Sequence, residues 1–243
     1  MNTKRNVVKS MNLGVTGDLH GDLYFKKIYK AKKLGYTHLI VCGDFGYIWD
    51  GSLKEQKHIN FLNKIGIKVL FIDGNHENHV LLNQYEVSEM FEGKVHKIRD
   101  NIIHLMRGEY YIIDDKTFWC MGGAKSSDVV YTDYTGRKKY RIEGKHWWKE
   151  EIPSQEEFEY GRLNLEKHNY TADYIITHTS YPEAITKVSG ENRFDNVSEY
   201  LRDIETRIHS KFKYWYFGHM HCDFNIKDSN TRCVYNDIVE LKN

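Results

Sequence analysis

Apolar and polar positions divide the chain into two parts of different character. Over the first ninety or so residues, short apolar runs alternate with amphipathic stretches of helical spacing. Leu13-Gly14-Val15-Thr16, His38-Leu39-Ile40-Val41-Cys42 and Lys68-Val69-Leu70-Phe71-Ile72 predict three strands. Between them, Tyr24, Ile28 and Ala31 share one face of a helix closed by Gly35. Ile59, Leu62 and Ile65 mark a second helix, begun by the capping-box pair Ser52 and Glu55 and stopped at Gly66. Strands alternating with helices of this length imply parallel pairing and an α/β layer.

From about Val95 the pattern changes. Apolar runs flank Arg99-Asp100-Asn101 and again Asp114-Asp115-Lys116, which predicts two hairpins. Residues 125–149 follow no periodicity and predict an irregular segment. Ser154 and Glu157 then cap a further helix, and Tyr174-Ile175-Ile176-Thr177 predicts a strand ending at His178. Val197, Leu201, Ile204 and Ile208 form a helical stripe with Asn196 and Glu199 near its start. Tyr214-Trp215-Tyr216-Phe217 is the last apolar strand. No repeat or Pro/Ser-rich linker interrupts the chain, so residues 1–243 are expected to form a single domain.

Composition narrows the functional classes. With 28% charged and 14% aromatic residues, the 243-residue chain is neither disordered nor of low complexity. Its 35 Lys+Arg nearly cancel 34 Asp+Glu, which removes any global attraction to nucleic acid or an anionic membrane. Basic charge is instead local: residues 125–149 carry seven Lys/Arg against three Asp/Glu. No apolar run approaches the ~18–20 residues of a membrane span. The start Met1-Asn2-Thr3-Lys4-Arg5-Asn6 leads into no secretory signal, and four scattered cysteines form no C-x-x-C pair. Reduced thiols and a cytoplasmic location are the expectation.

The candidate chemistry lies where the strands end. Five apolar runs terminate in Asp18-Leu19-His20, Asp44, Asn75-His76, His178 and His219-Met220-His221. In open α/β sheets the crevice at the carboxyl ends of the strands is where ligands bind. These oxygen and imidazole donors suit borderline divalent metals, and Asp44 can bridge two ions. Each cluster alone reads as an ordinary turn or a satisfied histidine. Five of them at strand ends can converge on one edge.

This ordered set resembles the calcineurin-like metallophosphoesterase superfamily. Its blocks D-x-H, G-D, G-N-H-[ED], H and G-H-x-H stand here as Gly17-Asp18-Leu19-His20, Gly43-Asp44, Gly74-Asn75-His76-Glu77, His178 and Gly218-His219-Met220-His221. The resemblance implies an α/β fold of the α+β type, a four-layer αββα sandwich of two mixed β-sheets flanked by helices. It also implies a two-metal site at one edge. Asp18, His20, Asp44 and His221 would hold the first metal; Asp44, Asn75, His178 and His219 would hold the second. His76 would be the general acid. The metals expected are two divalent ions, manganese first, with iron or zinc as alternatives.

The physical chemistry agrees with that assignment. Two cations ~3.5–4 Å apart neutralise phosphoryl oxygens and lower the pKa of a bridging water, giving hydroxide near neutral pH. Asn75 is a neutral ligand whose amide N–H can face a phosphoryl oxygen, while its neighbour His76 would protonate the departing oxygen.

One block departs from the pattern of the protein Ser/Thr phosphatases, G-D-x-x-D-R-G. Here Tyr47 and Ile48 occupy the positions of the later Asp and Arg. Asp50 is a candidate partner for His76, or else a helix-start residue. Arg107, Arg193 or the 125–149 segment are candidates to grip phosphate. Trp147-Trp148 reads as a base-stacking pair or as an anchor pinning that segment to the core. The expected activity is metal-dependent hydrolysis of a phosphoric ester, by a phosphatase or phosphodiesterase, on a phosphorylated substrate. The alternatives are a nuclease, for which a near-neutral chain gives little support, and a catalytically silent metal-bound scaffold for protein partners.

Overall fold

The computed structural model describes residues 11–127, 129–192 and 194–241. The reading of the chain's start and the candidate Arg193 lie outside the described residues. In one sheet, β1 (Leu13–Thr16), β2 (His38–Val41), β3 (Lys68–Phe71) and β6 (Ile102–Leu105) run parallel. β4 (Val87–Met90) and β5 (Gly93–Arg99) extend it antiparallel on one edge, and β15 (Val239–Glu240) covers the other. In the second sheet, β8 (Lys116–Met121), β11 (Tyr174–Thr177), β12 (Tyr214–Phe217) and β14 (Thr231–Cys233) run parallel. β7 (Tyr110–Ile113) and β13 (Phe224–Ile226) flank them antiparallel. A separate hairpin pairs β9 (Val130–Thr132) with β10 (Lys138–Tyr140).

Side-chain alternation builds the layers. Leu13, Val15, Ile40 and Leu70 of the first sheet pack against Phe118, Cys120, Ile176 and Tyr216 of the second. The opposite faces of the same strands, Leu39, Val41, Val69 and Phe71, are covered by α1 (Lys26–Lys33) and α2 (Leu53–Asn63) through Ile28, Ala31, Ile59 and Leu62. Trp119, Ile175 and Trp215 face α4 (Gln155–Lys167) and α6 (Asn196–Ile208), which bury Phe158, Leu165, Leu201 and Ile204. The short helices α3 (His79–Leu82) and α5 (Pro182–Ser189) complete the set. The architecture is the expected four-layer αββα sandwich. Because its central strands are buried on both faces, they read in sequence as unbroken apolar runs. Burying each stripe residue of α6 contributes about 1.5–3 kcal/mol, the stripe being what fixes that helix to its sheet.

Three local expectations change. Tyr24 is 75% exposed and precedes α1, because the Asp22 carboxylate accepts from Tyr24 N and Lys26 N and holds a turn there. Only half of the first capping box forms: Ser52 Oγ accepts from Glu55 N, but the Glu55 carboxylate accepts from the N–H groups of Trp49, Asp50 and Gly51. The second box, at Ser154 and Glu157, is complete. Residues 125–149 are not wholly irregular, since they contain the exposed β9–β10 hairpin.

Candidate metal centre

Parallel β1, β2 and β3, with β11 and β12 of the facing sheet, deliver their C-terminal loops to one edge. Backbone bonds lock those loops together. Leu19 N and His20 N both donate to Asp44 O at 2.9 Å, and Gly218 N donates to His178 O at 2.9 Å. Side chains cross-link them further: His219 N donates to Asp18 Oδ1 at 3.0 Å and His76 N to Asp44 Oδ1 at 2.8 Å. Glu77, fully buried, accepts from Gly46 N and Gly74 N at 2.9 and 2.7 Å, tying the loops after β2 and β3. His20, Asp44, His219 and His221 all adopt left-handed backbone, with φ between 49° and 63°. Non-glycine residues held there cost about 1–3 kcal/mol each, a strain that clusters at functional sites.

Close approach explains two of the motif glycines. A Cβ at Gly43 would lie 2.1 Å from His178 Nδ1, and one at Gly74 would lie 2.1 Å from Asp44 Oδ1. Any larger residue pushes the donors apart.

The seven candidate donors come together as two overlapping groups. Ligand atoms of Asp18, His20, Asp44 and His221 all lie within 4.8 Å of one another. His20 Nε2 and His221 Nε2 face each other at 2.9 Å, with Asp18 Oδ2 at 3.0 Å from His221 and Asp44 Oδ2 at 3.8 Å from His20. Both of those carboxylate oxygens are buried and have no well-formed hydrogen bond among the described residues. In the second group, His178 Nε2 lies 3.0 Å from Asn75 Oδ1 and 3.2 Å from Asp44 Oδ1. The His219 ring stands edge-on to His178 at 5.0 Å. Asp44 belongs to both groups. His76 packs edge-on to His20 at 5.1 Å and over Trp49 at 6.5 Å. A cavity of about 250 Å³ opens over Asp44, Asn75, His76, His219 and His221.

The buried carboxylates and imidazoles hold one another charged. Burial alone would raise the Asp44 carboxyl, but the His178 charge outweighs it and holds the group at about 2. Burial likewise opposes a charged His178, yet Asp44 pushes it up to about 10. Asp18 stays well below the usual carboxylate range despite its burial, through the imidazoles of His20 and His221. Buried carboxylates with unsatisfied oxygens, opposed imidazole nitrogens and one amide oxygen fit divalent cations. His178 Nδ1 lies 2.8 Å from Cys42 O, the outer partner that turns its Nε2 toward the donors.

Other candidates take different places. Arg107 does not grip phosphate: its side chain is 8% exposed and is consumed by Asp73 Oδ2 at 2.7 and 2.9 Å, Glu157 Oε2 at 3.0 Å and Glu150 O at 2.8 Å. Asp50 is exposed and accepts from Ser52 N at 2.8 Å, the helix-start role. Trp148 is buried edge-on against Trp49 at 4.7 Å, so it anchors its segment. Of the basic residues in 125–149, Lys125 lines the cleft of about 510 Å³ that adjoins the site; Arg137, Lys138, Lys139 and Arg141 do not. His79, His96 and His104 are buried around Asp73, a structural role. The four cysteines are free thiols.

Two residues with no sequence signal also reach the site. Ser126 Oγ accepts from Asn75 Nδ2 at 3.1 Å and donates to Glu151 Oε2 at 2.6 Å. The amide N–H expected to face a phosphoryl oxygen is therefore partly spent within the protein.

Comparison with known proteins agrees with this architecture. The sequence model of the calcineurin-like phosphoesterase family matches residues 11–223. No curated protein sequence matches the chain. Among solved structures, phosphopantetheinyl hydrolase from Mycobacterium tuberculosis is similar over 93% of this chain and 88% of its own, at 15% identity and a TM-score of 0.53. The TT1561 protein of Thermus thermophilus is similar over 96% and 99%, at 8% identity and a TM-score of 0.49. A putative 5'-nucleotidase from Staphylococcus aureus matches 93% of this chain but 48% of its own, at 13% identity and a TM-score of 0.47.

Proposed function

Because the chain belongs to the calcineurin-like phosphoesterase family, whose members are metal-dependent, we propose that it hydrolyses a phosphoric ester at a centre of two divalent cations. The observation carrying this reading is the shared position of Asp44, whose Oδ2 is buried and unsatisfied beside one donor group while Oδ1 faces the other. Asp18, His20, Asp44 and His221 would hold one cation, and Asp44, Asn75, His178 and His219 the other. Divalent cations held there would neutralise phosphoryl oxygens and would acidify a water toward neutral pH.

The chain's own residues do the rest. The Glu77 clamp and the left-handed loops hold the donors in place before substrate arrives, so little reorganisation accompanies reaction. His76, half-buried at the cavity and fixed through its backbone to Asp44, donates a proton to the leaving oxygen. Lys125 at the adjoining cleft, and not Arg107, offers the positive charge for the substrate's anionic group. Metal-stripped protein assayed on bis-p-nitrophenyl phosphate and p-nitrophenyl phosphate tests the reading. Activity absent after stripping and restored by Mn²⁺, Fe²⁺ or Zn²⁺ supports it; undiminished turnover in excess chelator refutes it.

A further inference from the structure

Asn75 lies in the loop between β3 and α3, and its carboxamide can be held in either of two orientations. A carboxamide presents an oxygen on one side and an amino group on the other, and a half-turn exchanges them. Only the oxygen can ligate a cation. His178 faces the oxygen side, and the amino side is set at the two roots of the 125–149 region, Ser126 just inside it and Glu151 just beyond it. Ser126 and Glu151 are 6% and 2% exposed, and Ala124 N donates to Glu151 O at 3.1 Å, closing the segment's base. Glu151 Oε1 accepts from Ser126 N at 2.7 Å and Oε2 accepts from Ser126 Oγ at 2.6 Å. The serine hydroxyl has one proton, and it is committed to the carboxylate. Its oxygen therefore has only lone pairs left for Asn75, whose Nδ2 meets it at 3.1 Å. Rotating the carboxamide would set Oδ1 against an oxygen with no proton to give. With Nδ2 fixed on Ser126, Oδ1 remains 3.0 Å from His178 Nε2, among the second donor group.

We propose that Ser126 and Glu151 are positioning residues that lock the Asn75 carboxamide with its oxygen toward the second cation position. The proposal rests on the reading of Asn75 as a ligand. It gives the roots of the inserted segment a defined task that its exposed hairpin does not share. Glu151→Gln is the sharpest perturbation because it keeps shape: the new amide can donate to Ser126 Oγ, which frees the hydroxyl proton to hold Asn75 Oδ1 instead. Ser126→Ala removes the partner, and Ser126→Thr keeps it.

The test is Mn²⁺ titration of stripped protein followed by electron paramagnetic resonance, with urea unfolding of each variant alongside. Partners of metal ligands typically cost 10–100-fold in affinity when lost, so Glu151→Gln and Ser126→Ala are expected to weaken one of the two positions by about that factor. The other position is unchanged, and Ser126→Thr binds as the wild type does. Unchanged affinities at both positions overturn the proposal. So does a loss shared equally by both and tracking a lower urea midpoint, which marks a merely structural role. If the wild type itself takes up fewer than two ions, the binuclear reading has failed separately. The Asn75 side-chain amide protons of the metal-free protein then decide: exchange accelerated in Glu151→Gln supports the lock, and equal exchange overturns it.

Discussion

Replacing Arg107 by methionine separates a structural arginine from a substrate-binding one. In the fold, Arg107 sits between β6 and β7 with its guanidinium on Asp73, immediately before the Gly74-Asn75-His76 loop. Asp73 is 1% exposed, and although burial opposes its charge, Arg107 and then His104 and His79 hold its carboxyl far below the ordinary range. Methionine keeps most of the side-chain volume but leaves that carboxylate buried without its main partner. Removing one member of a buried ion pair costs about 3–5 kcal/mol. With a urea slope of about 2–3 kcal/mol/M for a chain of this size, the midpoint falls by roughly 1–2.5 M. Adding Asp73→Asn removes the stranded charge, so the double variant is expected to recover most of the loss. Urea titration followed by tryptophan fluorescence measures each midpoint. A wild-type midpoint in Arg107→Met, combined with a large rise in KM for a phosphoester, would show that the guanidinium binds substrate and does not stabilise the fold through Asp73.

The same buried cluster sets a pH dependence. Burial, with Arg107 and His104 nearby, depresses His79 to about 3, and burial with His104 nearby depresses His96 to about 4, so the unfolded chain binds their protons below its ordinary pKa while the folded chain does not. Each should therefore remove up to about 1.4 kcal/mol per pH unit as pH falls from 6.5 toward 4; a His79→Gln variant with the wild-type slope in that window would contradict this. His76→Ala is expected to retain its metals and to lose most activity on esters with basic leaving groups, sparing p-nitrophenyl esters; equal loss on both classes removes the acid role. Lys125→Ala is expected to raise KM with little change in kcat, whereas neutralising Arg137, Lys138, Lys139 and Arg141 together leaves both constants unchanged; the reverse result would place the hairpin over the site.

The legible parts of the molecule were those fixed by local chemistry. Strands such as Ile40-Val41 and Ile175-Ile176 read as unbroken apolar runs because each is covered on both faces. The Asp114-Asp115 turn was visible because aspartate tolerates the left-handed backbone, φ 53° and 59°, that joins β7 to β8. Convergence of Asp18, Asp44, Asn75, His178 and His219 followed from parallel strands ending in donors. The illegible parts depend on closure between distant segments. Nothing local marks Ser126 and Glu151, which meet each other, and bring Ser126 to Asn75, only once the intervening chain has folded back on itself. Arg107 looked available because its partner Asp73 reads as one more residue of a strand end. Glu77 stood in a recognised block, but its clamp on Gly46 and Gly74 exists only when two strands are already adjacent.

Whether one carboxylate serves two cations is settled by the metal content of Asp44→Asn beside His20→Ala. Elemental analysis of the purified proteins, paired with phosphodiester turnover, is the measurement. Two ions are expected in the wild type, with loss at both positions and of activity in Asp44→Asn, and loss chiefly at one position in His20→Ala. A fully loaded and fully active Asp44→Asn protein would contradict the shared carboxylate.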